Sequence, residues 1–339
     1  MSYEEGHSPL FICYNISGVI MELYILTGAT GFLGSEILKR LVKGKKHVKA
    51  IIRNKNKIEI NSKYVNYIYG DIRDKKALEK LFKGNEKYNK IYVIHAASLI
   101  TLRKKVNDKI YNTNVIGTKN IINLSEKYKV DKFIYISSTD VLPVSNKLIS
   151  EKDFNLNIKT KGAYAETKGI ATEMVIKSKL NYVILMPSAI TGPTSRNTAT
   201  NRLIKNIING LPFLVNAYYD FVDVRDVARL TITLCTKNTK SKIFIISNKT
   251  ISFKELVKEI NRFHKTRVLY YFNVNILYLA IPFSYLISLF TKKEPLVTKV
   301  TIKTIKNKVN FDNNLVKKEV GFKPTPLDVS IKDIINNLD

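Results

Sequence analysis

Short apolar runs alternate with longer segments of helical periodicity through the first half of the chain. Runs of four to six apolar residues bounded by polar ones are typical of buried strands, and apolar residues three and four apart predict helices. This alternation predicts a parallel, doubly wound α/β sheet with all strand C-termini at one edge. The predicted strands cover 21–26, 48–52, 65–69, 91–94, 133–136 and 182–185, and the predicted helices cover 35–42, 75–82, 108–128 and 163–178.

The alternation loosens beyond Pro193. Helical patterns cover 201–209 and 253–264, residues 221–234 carry FVDVRDVA followed by a helix, and a strand is predicted at 243–246. Residues 276–290 are mostly apolar but are interrupted by Pro282, so they are too short and broken to span a bilayer. Two interpretations stay open for this segment. It is either a buried or substrate-lining helix, or an interfacial segment that makes peripheral membrane contact with the help of Lys292 and Lys293.

Composition narrows the class of protein. Apolar residues make up 45% of the 339, enough for a real core, and the net charge is +28. The basic residues are scattered and no nucleic-acid motif is present, so we expect no nucleic-acid partner and retain attraction to a membrane surface as the rival. Cys13 and Cys235 cannot form a disulfide framework, which favours a cytoplasmic protein, possibly membrane-associated.

A glycine-rich turn follows the first strand. The sequence 27–34 reads TGATGFLG and carries G-x-x-G-x-x-G at the start of a helix. A dinucleotide pyrophosphate needs such a turn, with close backbone approach and the helix N-terminus. The predicted cofactor contacts are Gly28, Thr30, Gly31, Phe32, Leu33 and Gly34, joined at other strand ends by Ala96, Ala97, Pro187 and Ser188.

These signals predict the domain organisation. We expect a Rossmann-type nucleotide-binding domain over 21–190 and a smaller C-terminal substrate lobe over 191–339 that is partly interleaved with it. Residues 1–20 precede a second methionine, Met21, and lack the basic start and cleavage site of a secretory signal. We expect them to be a poorly ordered extension.

The end of the second strand bears on cofactor choice. Arg53 stands where an acidic residue would favour a free ribose 2′-hydroxyl, whereas arginine suits a 2′-phosphate. NADP(H) is therefore favoured over NAD(H), with stacking of Arg53 on adenine as the alternative. Asp71 and Ile72 end the third strand and should flank the adenine, although Asp71 could instead cap the following turn.

A candidate chemical site combines three side chains. Tyr164 and Lys168 lie four residues apart on a predicted helix and so share a face. A nearby ammonium would lower the phenol pKa toward working pH, and Lys168 could also hold the ribose. Ser138, at a strand end on the same sheet edge, could hold a substrate oxygen while Tyr164 exchanges the proton. Thr139 competes for that role.

Taken together, the motifs resemble the extended short-chain dehydrogenase/reductase family. They are collinear over about 210 residues: TGATGFLG at 27–34, GD at 70–71, HAA at 95–97, NVIGT at 114–118, ISST at 136–139, YAETK at 164–168 and VDVRDVA at 222–228. The resemblance implies catalytic roles for Ser138, Tyr164 and Lys168, and structural bracing by Asn114. It also implies a homodimer through the helices that contain Asn114 and Tyr164.

Within that family, the sequence after residue 185 favours one branch. MPSAITGP at 186–193 and EVGFKP at 319–324 resemble the 3β-hydroxysteroid dehydrogenase-like and dihydroflavonol reductase-like branch, which implies oxidoreduction of a ketone or aldehyde on a largely apolar small-molecule substrate. One alternative is a sugar-nucleotide epimerase or dehydratase, in which Arg196, Arg202 or Arg225 would grip a diphosphate. Another is a non-catalytic dinucleotide-sensing regulator, which the intact Tyr164 and Lys168 disfavour.

Overall fold

The computed structural model describes residues 20–156, 162–194, 198–268, 270–291 and 294–337. Residues 1–19, Arg196, Lys292 and Lys293 therefore lie outside the described part of the chain. The strands are β1 (Glu22–Thr27), β2 (His47–Ile52), β3 (Val65–Tyr69), β4 (Lys90–His95), β5 (Lys132–Ile136), β6 (Leu148–Ile149), β7 (Tyr182–Pro187), β8 (Ala189–Thr191), β9 (Phe213–Asn216), β10 (Tyr218–Asp223), β11 (Lys242–Ile246), β12 (Lys249–Ser252), β13 (Tyr270–Asn273) and β14 (Asn310–Phe311).

Helices cover both faces of the main sheet and build the C-terminal half. One helix runs without a break from Asp108 to Lys127. A π-helical turn at Asn112–Ile116 divides it into α3 before the turn and α4 after it. The helices are α1 (Phe32–Lys43), α2 (Lys75–Phe82), α3 (Asp108–Tyr111), α4 (Gly117–Lys127), α5 (Ala163–Ile176), α6 (Ala199–Ile208), α7 (Val224–Thr236), α8 (Phe253–Ile260), α9 (Leu277–Thr291), α10 (Lys299–Lys306), α11 (Asn314–Val320) and α12 (Leu327–Ile335).

Seven parallel strands form the main sheet in the order β3-β2-β1-β4-β5-β7-β11. The chain moves outward from β1 in one direction through β2 and β3, and then returns to place β4 on the other side of β1. Such a switch point opens a crevice beyond the strand C-termini, where ligands bind in open α/β sheets. The predicted doubly wound parallel sheet is confirmed.

The continuous apolar character of the strands has a simple cause, since both faces of the sheet are covered. On β1, Tyr24 and Leu26 pack with α1 and α7 on one side, while Leu23 and Ile25 pack on the other. All four are essentially inaccessible to water. Each large apolar side chain buried in this way contributes about 1.5–3 kcal/mol.

The C-terminal half divides its residues between the main sheet and a separate core. β11 pairs with β7, and α7 packs against α1, so this part of the chain beyond residue 190 belongs to the main sheet. The remainder builds a three-stranded sheet, β12-β10-β8, and the two-stranded pair β13-β9. Their apolar residues form a third core with α6, α8, α10 and α12.

The apolar segment 276–290 forms the end of a 3-10 turn and nearly all of α9, and no residue of α9 is fully buried. The expectation of a buried helix is therefore wrong, whereas a substrate-lining role stays a prediction. The expectation that the segment is too short to span a bilayer is also wrong: within the described ranges, Val274–Thr291 is long and apolar enough to cross a membrane by length and composition, with a mean hydropathy of 1.7.

Candidate active site

The glycine turn after β1 is sterically closed to other residues. Gly28 has φ +77°, and a Cβ there would lie 2.8 Å from the Ala96 carbonyl carbon and the Ala97 nitrogen. At Gly34 a Cβ would overlap the Gly28 carbonyl oxygen. Only glycine allows this left-handed conformation without strain and lets the ends of β1 and β4 approach so closely.

Helix α1 begins directly at the turn. Its N-cap, Gly31, offers no side chain to cap the helix, so the amides of the first turn and the positive end of the helix dipole face the crevice. A pyrophosphate suits this position. The Leu33 side chain is buried in the core, and Phe32 packs against it, so these two residues would meet a cofactor mainly through their backbone. Thr30 lies in the turn itself.

Charged side chains gather at the ends of β2 and β3. Arg73 donates two hydrogen bonds to Asp71, at 2.9 and 3.0 Å, and the Arg73 amide also binds this carboxylate. Asp71 therefore caps the turn, and its pKa is lowered by these hydrogen bonds, which outweigh its desolvation. Arg53 is 67% exposed and reaches Asp71 at 3.8 Å. Ile72 is buried in the core rather than open to a ligand.

A buried hydrogen-bond chain ties the turn to the next helix. The Thr118 hydroxyl donates to the Asn114 carbonyl oxygen at 2.6 Å, so it must accept from His95 Nε2, 2.9 Å away. His95 Nδ1 is then the acceptor for the Thr27 hydroxyl at 2.7 Å, and Thr27 Oγ1 accepts from the Ala97 amide at 3.1 Å. Burial lowers the pKa of His95 to about 3, which keeps the imidazole neutral as this chain requires.

Asn114 braces the loop that carries Ser98. Its Oδ1 accepts from the Leu99 amide at 2.8 Å and the Ser98 hydroxyl at 3.3 Å. Its Nδ2 donates to the Leu99 carbonyl oxygen and to the Thr167 hydroxyl, both at 3.0 Å. Thr167 in turn shares its hydroxyl proton between the carbonyl oxygens of Ala163, at 2.8 Å, and Tyr164, at 3.1 Å. Asn114 thus fixes α5 and the loop after β4 to one another.

The structure brings Ser138 and Tyr164 together. Burial raises the pKa of the Tyr164 phenol, and hydrogen bonds with the hydroxyls of Ser138 and Ser98 offset part of this rise. Ser138 Oγ accepts from the Asp140 amide at 3.1 Å, which leaves its own proton available to donate. Thr139, the competitor for the Ser138 role, is buried at the start of the short 3-10 turn that follows Ser138.

Burial and a nearby carboxylate hold the proton on Tyr164. Desolvation raises the pKa of its phenol well above the ordinary value, and the negative charge of Asp140 raises it further. The sequence did not identify Asp140 or Ser98 as site residues. Their positions, directly after the ISST and HAA motifs at strand ends, are the signal that could have found them.

Lys168 is almost fully buried on α5. Its Nζ donates to the Ile136 carbonyl oxygen at 2.5 Å and lies 4.0 Å from the centre of the Tyr135 ring. The i, i+4 spacing does place the two residues on one face of α5, but the lysine side chain turns into the sheet. Desolvation there lowers the pKa of Lys168 to about 7.

Pro187 ends β7 on the same sheet edge, and Ser188 follows it beside a buried carboxyl group. In the part of the chain that the structure describes, Ser188 Oγ and Asp220 Oδ1 are buried without a well-formed hydrogen bond. The Thr250 hydroxyl donates to the Val309 carbonyl oxygen at 2.6 Å and lies 3.0 Å from the other oxygen of Asp220. Desolvation raises the pKa of Asp220 to about 6, although Ser188 and Thr250 partly offset this.

Of the arginines expected to bind a diphosphate, Arg225 forms ion pairs within the protein and Arg202 is exposed to solvent. Arg225 binds both oxygens of Asp223, at 2.8 and 2.7 Å, and also binds Asp333. It therefore fixes the N-terminus of α7 to α12 and is not available for an anion. Arg202 is exposed on α6, and Arg196 lies outside the described residues.

Comparison with known proteins agrees with this geometry. Residues 24–247 match the family described as NAD dependent epimerase/dehydratase. The sterol demethylase protein B of Methylococcus capsulatus is 23% identical over 241 residues, which are 69% of this chain and 72% of that protein. A putative UDP-glucose 4-epimerase of Methanocaldococcus jannaschii is 31% identical over 261 residues, with 69% and 80% covered.

A solved structure shows the same fold. The Thermus thermophilus UDP-glucose 4-epimerase, in a complex with NAD, superimposes with a TM-score of 0.69 at 16% identity, over 93% of this chain and 98% of that one. The family match covers well over half of the chain. The chain therefore belongs to the NAD-dependent epimerase/dehydratase family and is an NAD(P)-dependent enzyme of the extended short-chain dehydrogenase/reductase type.

Proposed function

We propose that this chain reversibly reduces a ketone or aldehyde group on a largely apolar substrate, with Ser138, Tyr164 and Lys168 as its chemical groups. The observation that carries the proposal is the contact between the Ser138 hydroxyl and the Tyr164 phenol at the sheet edge beside the glycine turn. The Ser138 proton is free to be donated, and the raised pKa of Tyr164 keeps its phenol protonated. A bound nicotinamide supplies the hydride in reduction and accepts it in oxidation.

Each protein group has a distinct task in reduction. Ser138 donates its free hydroxyl proton to the carbonyl oxygen and polarises the bond. Tyr164 then transfers its phenolic proton to that oxygen as charge develops on it. Burial and Asp140 favour the protonated phenol in the resting enzyme, which suits a proton donor. Lys168, which is buried on α5 one turn after Tyr164, would hold the cofactor ribose.

A carbonyl panel with NADPH and NADH tests this function. We expect Tyr164→Phe to lower kcat by about 10²–10⁴-fold, the usual contribution of a positioned proton donor, while dinucleotide binding persists. Tyr182→Phe is the matched control, because Tyr182 begins β7 at the opposite end of the strand. Full activity in Tyr164→Phe would refute the assigned donor.

A second candidate function is sugar-nucleotide epimerisation. The 31% identity to a putative UDP-glucose 4-epimerase favours it. The ion pairs of Arg225 with Asp223 and Asp333 weigh against it, because they occupy one of the three arginines that were expected to bind a diphosphate. Turnover of UDP-glucose, together with inactivity on apolar carbonyl compounds, would select this alternative.

We also propose that NADP(H) is the preferred dinucleotide. Arg73 already satisfies Asp71 through two hydrogen bonds, and Arg53 keeps only one long contact to the same carboxylate. The exposed guanidinium of Arg53 can therefore turn to a 2′-phosphate. In a fluorescence titration, Arg53→Ser should weaken NADPH binding and leave NADH binding unchanged, with Lys55→Ser as the control. A clear NADH preference in the wild type would contradict the proposal.

A homodimer through α4 and α5 is a further expectation of the proposed family role. Asn114 lies in the π-helical turn directly before α4, and Tyr164 lies on α5. The two helices pack against one another within one chain. Sedimentation velocity should give about twice the mass of one chain.

A further inference from the structure

Helix α9 presents apolar side chains to water along most of its length. The exposed fractions are 72% at Leu279, 66% at Phe283, 51% at Leu286 and 81% at Phe290. These residues lie on one side of the helix by their spacing. A contiguous apolar surface of this kind is unusual on a protein that stays in water, and it marks an interaction site.

The opposite side of α9 is attached to the protein. Leu277 and Ile281 pack against the third core, and the Ser284 hydroxyl accepts from the Val297 amide at 3.0 Å. Positions 277, 281 and 284 share one helix face. The helix is therefore held along one face while the other is left open, so its exposed side is a fixed feature of the surface.

Aromatic residues extend this surface toward the N-terminal side of α9. Tyr270 and Phe272 on β13 are 62% and 41% exposed, and Phe213 on the paired strand β9 is 53% exposed. Their rings contact one another, with centroids 6.1 and 6.3 Å apart. Aromatic side chains of this kind favour the level of lipid headgroups. We call α9 with these three aromatic residues the apolar face.

We propose that the apolar face docks on an anionic lipid bilayer, with α9 inserted into one leaflet. The helical stretch Val274–Thr291 is about 27 Å long, close to the roughly 30 Å hydrocarbon core, but Pro282 interrupts α9. Its attached face also prevents it from leaving the protein to span a membrane. Insertion into one leaflet buries the open side without separating α9 from the third core.

Charge favours an anionic bilayer as the occupant of the apolar face. The net charge of +28 attracts anionic headgroups. Basic residues flank the apolar face on exposed positions: Lys265 and Arg267 precede β13, and Lys299, Lys303 and Lys306 lie on α10, which packs against α9. Each basic residue near the surface adds to the attraction.

The apolar face is also connected to the candidate active site. Beyond the end of α9, the Glu294 carboxylate accepts from the Thr101 hydroxyl at 2.6 Å and from the Leu102 amide at 3.0 Å. These residues belong to the loop after β4, in which Ser98 faces Tyr164 and Ile100 is 69% exposed. This connection would hold the bilayer next to the candidate active site. If the proposed function holds, an apolar substrate would then enter the site from the bilayer. The docking itself does not depend on that function.

Vesicle flotation with the full chain tests the docking. The vesicles are phosphatidylcholine alone, or an equal mixture of phosphatidylcholine and phosphatidylglycerol. Wild type should float with the mixed vesicles, and binding should weaken with salt. The double variant Leu286→Glu, Phe290→Glu should lower the partition coefficient at least about tenfold, because two apolar contacts with lipid are lost.

The control places the same two charges on exposed apolar residues outside the apolar face, as Leu148→Glu, Val329→Glu. It should float like wild type, and dinucleotide fluorescence on all three proteins reports folding. Failure of wild type to float, equal flotation of both double variants, or self-association through α9 in the absence of vesicles would overturn the proposal. None of these outcomes depends on carbonyl reduction, so a failed carbonyl panel leaves the docking result intact.

Discussion

Replacing Asp220 by asparagine should stabilise the protein at neutral pH and have little effect in acid. Asp220 is only 9% exposed, and one of its carboxyl oxygens has no well-formed hydrogen bond. Its pKa rises from 3.8 to about 6, chiefly because burial disfavours the charged form. The folded protein therefore binds this proton more tightly than the unfolded chain does.

The magnitude follows from proton linkage. A folded-state pKa raised by about 2 units means that stability is greatest below pH 4 and is lost as the pH rises through about 6, by about 3 kcal/mol in total. Asparagine keeps a polar group beside the Thr250 hydroxyl and carries no charge at any pH. For a chain of 339 residues, about 3 kcal/mol corresponds to a shift of about 4 °C in Tm.

Thermal unfolding followed by circular dichroism between pH 4 and pH 8 measures this difference. The Tm of Asp220→Asn should rise relative to wild type as the pH increases, with most of the gain complete by pH 7. Asp71→Asn is the opposite control, because hydrogen bonds lower the pKa of Asp71 and its replacement should cost stability at neutral pH. A Tm difference for Asp220→Asn that stays constant across this range would refute the linkage argument.

Two further predictions concern the reaction and the cofactor. Asp140→Asn removes a negative charge that raises the pKa of Tyr164, so the pH profile of kcat/KM for alcohol oxidation should move to lower pH. An unchanged profile would mean that Asp140 does not act on the phenol. Gly28→Ala adds backbone strain of about 1–2 kcal/mol in the left-handed region and a 2.8 Å contact with the Ala96 carbonyl carbon. Dinucleotide affinity should therefore fall at least about tenfold in a fluorescence titration. Unchanged affinity would mean that the turn is not the cofactor site.

Local signals explain why much of the fold was predictable. The glycines of 27–34 are required by backbone geometry within the turn itself, and apolar runs such as Phe133–Ile136 reflect burial on both faces of the sheet. Right-handed crossovers then collect the strand ends at one edge, so Ser138 and Tyr164 could be expected near the turn. These inferences needed no knowledge of distant contacts.

Other features depend on contacts that spacing does not encode. A helix that is apolar on all sides has the same sequence pattern whether it is covered by protein or by lipid, so α9 could not be assigned from 276–290 alone. The direction of Lys168 depends on the position of the Ile136 carbonyl oxygen and the Tyr135 ring. The pairing of Arg53 with Asp71 likewise depends on the order of neighbouring strands.

The loop from 98 to 103 shows how these distant contacts combine into a site. Asn114 holds its beginning, the Arg103 carbonyl oxygen accepts from the Ala163 amide at 3.1 Å at the start of the phenol's helix, and Glu294 holds its middle from the C-terminal half. Because the loop also carries Ser98 against Tyr164, any shift of the apolar face relative to the main sheet must strain the surroundings of the phenol. The site is therefore completed by the C-terminal half of the chain, although the chemical groups themselves all come from the first half.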